Sequence, residues 1–174
     1  PQAIAVCKER GLKNVSLAEG TSIPFPDNAF DIVLCLDVLE HIENDDAALK
    51  EIRRVVKPGG IIIIFVQTFR FLWGKSDELG HHLRRYRLKG LREKINKNGL
   101  DVIRSSYFNF FLFIPILAVR RLVRLFKIPI QNENETGKGL VNSILLGIFS
   151  LEAFLLRRIN FPFGVSGLAV CNKK

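Results

Sequence analysis

The stretch IPFPDNAFDIVLCLDVLEHI at 23–42, followed by EIRRVVKPGGIIII at 51–64, narrows the fold more than any other part of the chain. Pro24, Pro26 and the Asp27-Asn28 pair are turn chemistry. Phe30 to Leu36 is an almost unbroken apolar run, the pattern of a strand covered on both faces, and it ends on Asp37. Asn44 or Asp45 can cap a helix running to Val56, with Ala48, Ile52, Val55 and Val56 on one stripe. Pro58-Gly59-Gly60 breaks that helix, and Ile61 to Val66 reads as a second buried strand. Strand, helix, tight turn and strand make a parallel unit with a right-handed crossover. Open sheets of such units keep their ligands beyond the carboxyl ends of the strands, where Asp37, Glu40 and His41 stand.

The flanking sequence extends this α/β pattern. Residues 2–10 carry apolar positions at helical spacing and stop at Gly11, and Val15 to Glu19 is a short strand candidate ending in an acid. Residues 69–87 are irregular. Leu88 to Asn98 resumes a helix that ends at Gly99, and Leu100 to Phe108 and Val165 to Cys171 are strands that can pair antiparallel at one edge. Between those strands lies an apolar and basic insert, with a helix at 111–126, a polar loop at 131–139 and a helix at 140–158. Three parts are expected: a core at 1–108, a helical insert at 109–163 and a last core strand at 164–174.

The chain has 174 residues, with 26 Lys and Arg against 17 Asp and Glu, a formal charge of +9. That balance suits either an anionic partner or a solubilising surface. Basic and aromatic residues interleave, yet no nucleic-acid motif appears, so no nucleic-acid partner is expected. Cys7, Cys35 and Cys171 are odd in number and sit in apolar sequence, as buried thiols of a reducing, cytoplasmic compartment would. The longest apolar stretches, 108–119 and 145–156, fall short of the roughly 18 residues of a spanning helix, and the second contains Glu152. No transmembrane segment is expected.

The run AEGTSIPFPDNAFDIVLCLDVLEHIENDDAALKEIRRVVKPGGIIIIF resembles the class I S-adenosylmethionine-dependent methyltransferases. It has the family's order: an acid and a small residue, a Leu-Pro-Phe-like turn, a Phe-Asp strand, Leu-Glu-His, a helix bearing Glu-hydrophobic-Arg, and Lys-Pro-Gly-Gly. The resemblance covers about residues 2–108. It implies a Rossmann-like sheet, mostly parallel with an antiparallel last strand, and S-adenosyl-L-methionine as cofactor. It also implies that Glu19 and Gly20 lie beside the adenine, with a carboxylate able to accept from the exocyclic amine, and that Leu36 and Asp37 face the methionine part. The family's glycine-rich loop and ribose-binding acid do not occur here and would precede Pro1. The chain is therefore expected to be the carboxyl-terminal part of a methyltransferase, inactive and a poor binder of the cofactor as it stands.

Methyl transfer is an in-line displacement, so the protein mainly aligns acceptor and methyl group and removes water. An oxygen or nitrogen acceptor can also need a base within about 3 Å. His41 is the candidate base, against the alternative of a histidine that packs or caps the helix start. Asp37, Glu40 and His41 offer oxygen and nitrogen ligands at short spacing, as in metal-assisted ubiquinone-type O-methyltransferases. The same pattern occurs in relatives for which no metal is implied, and no metal ligand is assigned.

The segment GHHLRRYRLKGL at 80–91 follows the second strand and should lie over the crevice. Its His-Leu-Arg-Arg-Tyr run resembles a segment of bacterial and archaeal methyltransferases whose surroundings suggest polysaccharide or lipid work. His82, Arg85 and Tyr86 are the candidate acceptor-side residues, with Arg as a bidentate partner for an anionic group, against a solvated basic loop. His81 has no matching role. In the insert, Phe108, Phe110, Phe111 and Phe113 precede Arg120, Arg121, Arg124 and Lys127, an apolar wedge with a basic flank. It could lie in a bilayer interface, or serve as a helical cap or a dimer contact. The expected activity of the intact protein is methyl transfer to a small-molecule, sugar- or lipid-linked acceptor. The reading from another class is a non-catalytic, membrane-peripheral binding module on the same fold.

Overall fold

The computed structural model describes residues 2–126 and 139–174. Four strands form one mixed sheet: β1 (Phe30–Leu36), β2 (Val56–Gln67), β3 (Leu100–Phe108) and β4 (Ser166–Lys173), in the spatial order β1-β2-β4-β3. β1 and β2 run parallel, and β4 is antiparallel to both of its neighbours. The α/β sheet with an antiparallel last strand is thus present, with β3 and β4 paired at one edge.

Helix α1 (Gln2–Glu9) precedes the sheet. Helix α2 (Asp45–Val55) starts where the Asn44 side chain accepts the Ala47 N–H at 3.0 Å, satisfying one orphan donor of the first turn. α3 (Lys75–Leu79) lies in the loop after β2, and α4 (Leu88–Lys97) stops before Gly99, whose φ of +77° suits glycine. Ala48, Leu49 and Ile52 of α2 and Leu91 and Ile95 of α4 pack in one core with Cys35, Ile62, Ile64, Val66, Ala169 and Cys171 of the sheet. Burial pushes the Cys35 and Cys171 thiols up to about 12, so both stay protonated and act as small apolar groups.

Three expectations are corrected. Val15 to Glu19 is not a strand: its only pairing is a single bridge between Glu19 and Ser22, a tight turn entering the proline-rich loop. β1 is not covered on both faces: among the described residues it pairs only with β2, and Ile32, Leu34 and Leu36 are each at least half exposed. Pro58-Gly59-Gly60 does not precede the second strand but lies within it, since β2 begins at Val56 directly after α2. The irregularity is taken up by Gly59 at φ +76° and by a register shift opposite Phe30 and Ile32. A side chain at Gly60 would also strike the Asp31 and Lys57 carbonyls, each 2.9 Å from its Cβ position.

The insert supplies α5 (Phe113–Phe126) and α6 (Leu140–Leu156); Lys127 and loop positions 131–138 lie outside the described residues. Arg104 of β3 fastens α6 to the sheet. Its guanidinium donates to the Leu156, Arg157 and Ile159 carbonyls, and its Nε donates to Asn160 Oδ1 at 2.9 Å. A cation placed there satisfies the open carbonyls at the helix end. Among the described residues no helix is long and apolar enough to cross a membrane.

Candidate active site

The carboxyl ends of β1 and β2 lie side by side, with Leu36 in register with Phe65. Immediately after β1 the chain turns on Asp37, a non-glycine residue at φ +50° whose N–H donates to the Phe65 carbonyl at 2.9 Å. Its exposed carboxylate accepts from Gln67 Nε2 at 2.9 Å, so β2 holds the acid of β1 in place. A short 3-10 turn at Leu39–His41 follows. Leu39 and Glu40 are fully buried, while His41 is exposed.

Glu40 is a buried acid at this corner. Its Oε1 accepts the Gln67 N–H at 3.3 Å, and its Oε2 is buried with no partner among the described residues. Burial raises its pKa above the ordinary carboxyl value, and the Asp37 charge adds to the rise. Asp37, Glu40 and His41 do not converge: one carboxylate faces outward, the next is interior, and the imidazole is exposed. Among the described residues no group of three or more His, Cys, Asp or Glu side chains is placed to hold a metal ion.

Glu19 and Gly20 reach this corner through the proline-rich loop. The Ile42 side chain packs under Gly20, where an added Cβ would lie 2.3 Å from its Cδ1, so the backbone passes where no side chain fits. Glu51 of the Glu-hydrophobic-Arg pattern, and Arg54 directly after that pattern, hold the loop. Glu51 accepts the Ile23 N–H at 3.0 Å, and Arg54 donates to the Ile23 and Phe25 carbonyls at 2.8 Å and to Asp27 at 2.9 Å. The Arg54 hydrogen bonds hold the Glu51 pKa down to about 2.

The loop after β2 is organised by Asp77, a fully buried carboxylate that the sequence did not single out. Oδ1 accepts from Arg85 Nε at 2.7 Å and is 2.9 Å from His82 Nδ1; Oδ2 accepts from Arg85 Nη2 at 3.0 Å and from the Gly74 N–H at 2.7 Å. Burial works to raise the Asp77 pKa, but the Arg85 and Gly74 donors outweigh it and hold the carboxyl below the usual range. With Nδ1 turned to a carboxylate, Nε2 is the other ring nitrogen of His82. The His82 ring meets that of His41 edge to face, with centroids 4.5 Å apart.

Arg85 and Tyr86 are placed inside the protein. The Arg85 side chain is 1% exposed and engages Asp77 and the Thr68 carbonyl through all three nitrogens. The Tyr86 hydroxyl is buried and donates to Asp45 Oδ2 at 2.7 Å. Both therefore fix the loop, and the bidentate Arg foreseen for an anionic ligand grips an internal carboxylate instead. A cavity of about 560 Å³ opens beside them, lined by Arg70, Trp73, His82, Leu83, Arg84 and Arg85. Arg84 is paired with Asp45 at 3.0 Å; Arg70 is exposed and makes no side-chain hydrogen bond or ion pair among the described residues. The signal for Asp77 was present: it and Glu78 are the only acids between 69 and 87, in a loop otherwise basic and aromatic.

Residues 1–64 match the methyltransferase domain family. That amino-terminal stretch is thus similar to the methyltransferases. The ubiquinone/menaquinone biosynthesis C-methyltransferase of Neisseria meningitidis serogroup C is 43% identical over 65 residues, 36% of this chain and 26% of that protein. Its counterpart in Cupriavidus pinatubonensis is 50% identical over 59 residues, 34% of this chain and 24% of its own. The chain thus spans about a quarter of the length of these curated relatives.

Solved structures extend the likeness of this methyltransferase fold over nearly the whole chain. The phosphoethanolamine N-methyltransferase 2 of Haemonchus contortus, solved with S-adenosyl-L-methionine, has a TM-score of 0.56 at 19% identity and covers 98% of this chain and 40% of that one. A methyltransferase from Thermotoga maritima has a TM-score of 0.56 at 17% identity and covers 99% and 70%. S-adenosyl-L-methionine is the molecule bound in that Haemonchus contortus structure. The residues present fit two ends of such a molecule. Glu19 is an exposed carboxylate with no partner among the described residues, suited to an amine, and Leu36 offers half-exposed apolar surface beside the Asp37 carboxylate.

Proposed function

We propose that the carboxyl ends of β1 and β2 form the cofactor side of a methyl-transfer site, and that the loop after β2 forms its acceptor side. One observation carries the reading: in a chain whose residues 1–64 match a methyltransferase domain, β2 holds Asp37 at the end of β1, and His41, four residues on, meets the ring of His82 from the loop after β2. Glu19 and Gly20 would take the adenine edge, and Leu36 and Asp37 the methionine part. When bound, S-adenosyl-L-methionine supplies an electrophilic methyl group on a sulfonium. This chain's own residues orient the acceptor, exclude water and hold its proton.

His41 and His82 are the imidazoles available for that proton. His82 is the better held, because Asp77 fixes its Nδ1 and its side chain lines the cavity. Arg85 and Tyr86 act at one remove, by positioning the loop that carries it. Arg70, the uncommitted cation of the cavity, would meet an anionic group of a small, sugar- or lipid-linked acceptor. The activity belongs to the intact protein.

Ultraviolet cross-linking of tritiated S-adenosylmethionine tests the cofactor side and tolerates weak binding. Label is expected in the tryptic peptide that spans 14–50, which holds Glu19, Gly20, Leu36, Asp37 and His41. Label confined to other peptides, or competed equally by adenosine and by unrelated nucleotides, would overturn the assignment.

A further inference from the structure

The two helices of the insert are inside out. A helix on a water-exposed surface turns its apolar stripe inward and its charges outward. In α6 the only ionisable side chain, Glu152, is fully buried, where its Oε1 accepts the Phe110 N–H at 2.9 Å. The outer side of α6 carries Leu140, Val141, Ile144, Leu146 and Phe154, exposed by 54 to 77%. α5 repeats the inversion. Arg120 points inward to the Leu72 carbonyl, Ser76 and Asp77, while Ile114, Leu122, Leu125 and Phe126 are exposed by 51 to 73%.

Cations border this apolar surface. Arg121, Arg157 and Arg158 are exposed and make no side-chain hydrogen bond or ion pair among the described residues. Neither helix carries an outward carboxylate. We infer that the outer faces of α5 and α6 dock on an anionic bilayer surface, with the leucines and phenylalanines in the acyl boundary and the arginines at the lipid phosphates. A second copy of the chain fits less well, since a self-contact of this face would set arginine against arginine with no acid to pair. Crossing the bilayer is not required: α6 has 17 residues, about 25 Å of helix, against a hydrocarbon core of about 30 Å.

The docking surface adjoins the site, and to this extent the inference rests on the acceptor side proposed above. An apolar cavity of about 700 Å³ lies between α5 and the α3 segment, lined by Trp73, Leu112, Ile116, Val119 and Val123 among others. Trp73 also lines the cavity of His82 and Arg70. A lipid-linked acceptor could therefore leave its chain in the larger cavity and present a polar head at His82.

Flotation with vesicles of 30% phosphatidylglycerol in phosphatidylcholine, against pure phosphatidylcholine, tests the docking. The chain is expected to float with the anionic vesicles at least tenfold more tightly than with the neutral ones. L122E/L125E and R121E/R158E should each weaken that binding at least tenfold, at about fivefold per lost basic contact for the arginines. These side chains are exposed, so circular dichroism and thermal unfolding should be unchanged. Absence of flotation, binding indifferent to L122E/L125E, or a dimer in light scattering that the same variants dissolve would each overturn the inference. The cross-linking of S-adenosylmethionine at 14–50 does not depend on these variants, so the two readings can fail separately.

Discussion

Replacing Asp77 by Asn should unfold the acceptor-side loop before anything else in the protein. The substitution keeps the shape of the side chain but removes a charge that is fully buried and accepts from Arg85 twice, from Gly74 and from His82. It also strands the Arg85 guanidinium, 1% exposed, without its counter-charge. Removing one partner of a buried ion pair costs about 3 to 5 kcal/mol. With a urea dependence of about 2 kcal/mol per molar, the midpoint should fall by roughly 1.5 to 2.5 M. The double variant D77L/R85M should lose less than D77N alone, because it removes both charges together. The Asp77 pKa is depressed in the folded protein, so this stability is full above the ordinary carboxyl value near 3.8 and is lost as pH falls through the folded value. A D77N midpoint within about 0.5 M of wild type, or a double variant worse than the single one, would refute the clamp.

Two further perturbations read other parts of the same corner. Glu40 has a folded pKa above its ordinary 4.5, so its stability effect has the opposite sign: stability is full below that value and declines as pH rises through the folded pKa. E40Q should therefore be more stable than wild type by roughly 1 kcal/mol at pH 8 and equal to it at pH 4, by urea titration at both; an unchanged difference across pH would contradict this. Y86F removes the buried hydroxyl that donates to Asp45, and should cost about 1.5 kcal/mol, because Lys94 and Arg84 still hold that carboxylate at 2.7 and 3.0 Å. Loss of less than about 0.5 kcal/mol would mean that the Tyr86 hydroxyl is not a structural pin.

Most of the sheet was legible because its strands and helices carry unambiguous periods. The apolar runs at 30–36 and 61–66, the Asn44 cap and the glycine after α4 each have a local physical cause, and local causes can be read from sequence. Coverage of β1 was not legible, since what packs on the face of a strand comes from elsewhere in the chain. Val15 to Glu19 failed for the same reason: a short run becomes a strand only beside another. In the candidate site, the family pattern led to Glu19, Gly20, Leu36 and Asp37, while the roles of Arg85 and Tyr86 were set by buried acids 8 and 41 residues away. An exposed and an internal arginine look alike in sequence. The choice between them is made by the carboxylate that the fold delivers.

In the proposed division of labour, the end of β1 serves the cofactor and the loop histidine serves the acceptor. Titration of the ¹⁵N-labelled protein with S-adenosylhomocysteine, followed by amide shifts, tests it most directly. Shifts are expected at Glu19, Gly20, Leu36 and Asp37, with an affinity about tenfold weaker in D37A from loss of a charged acceptor and an unchanged affinity in H82Q. Wild-type affinity in D37A, or an H82Q variant weakened as much as D37A, would contradict it.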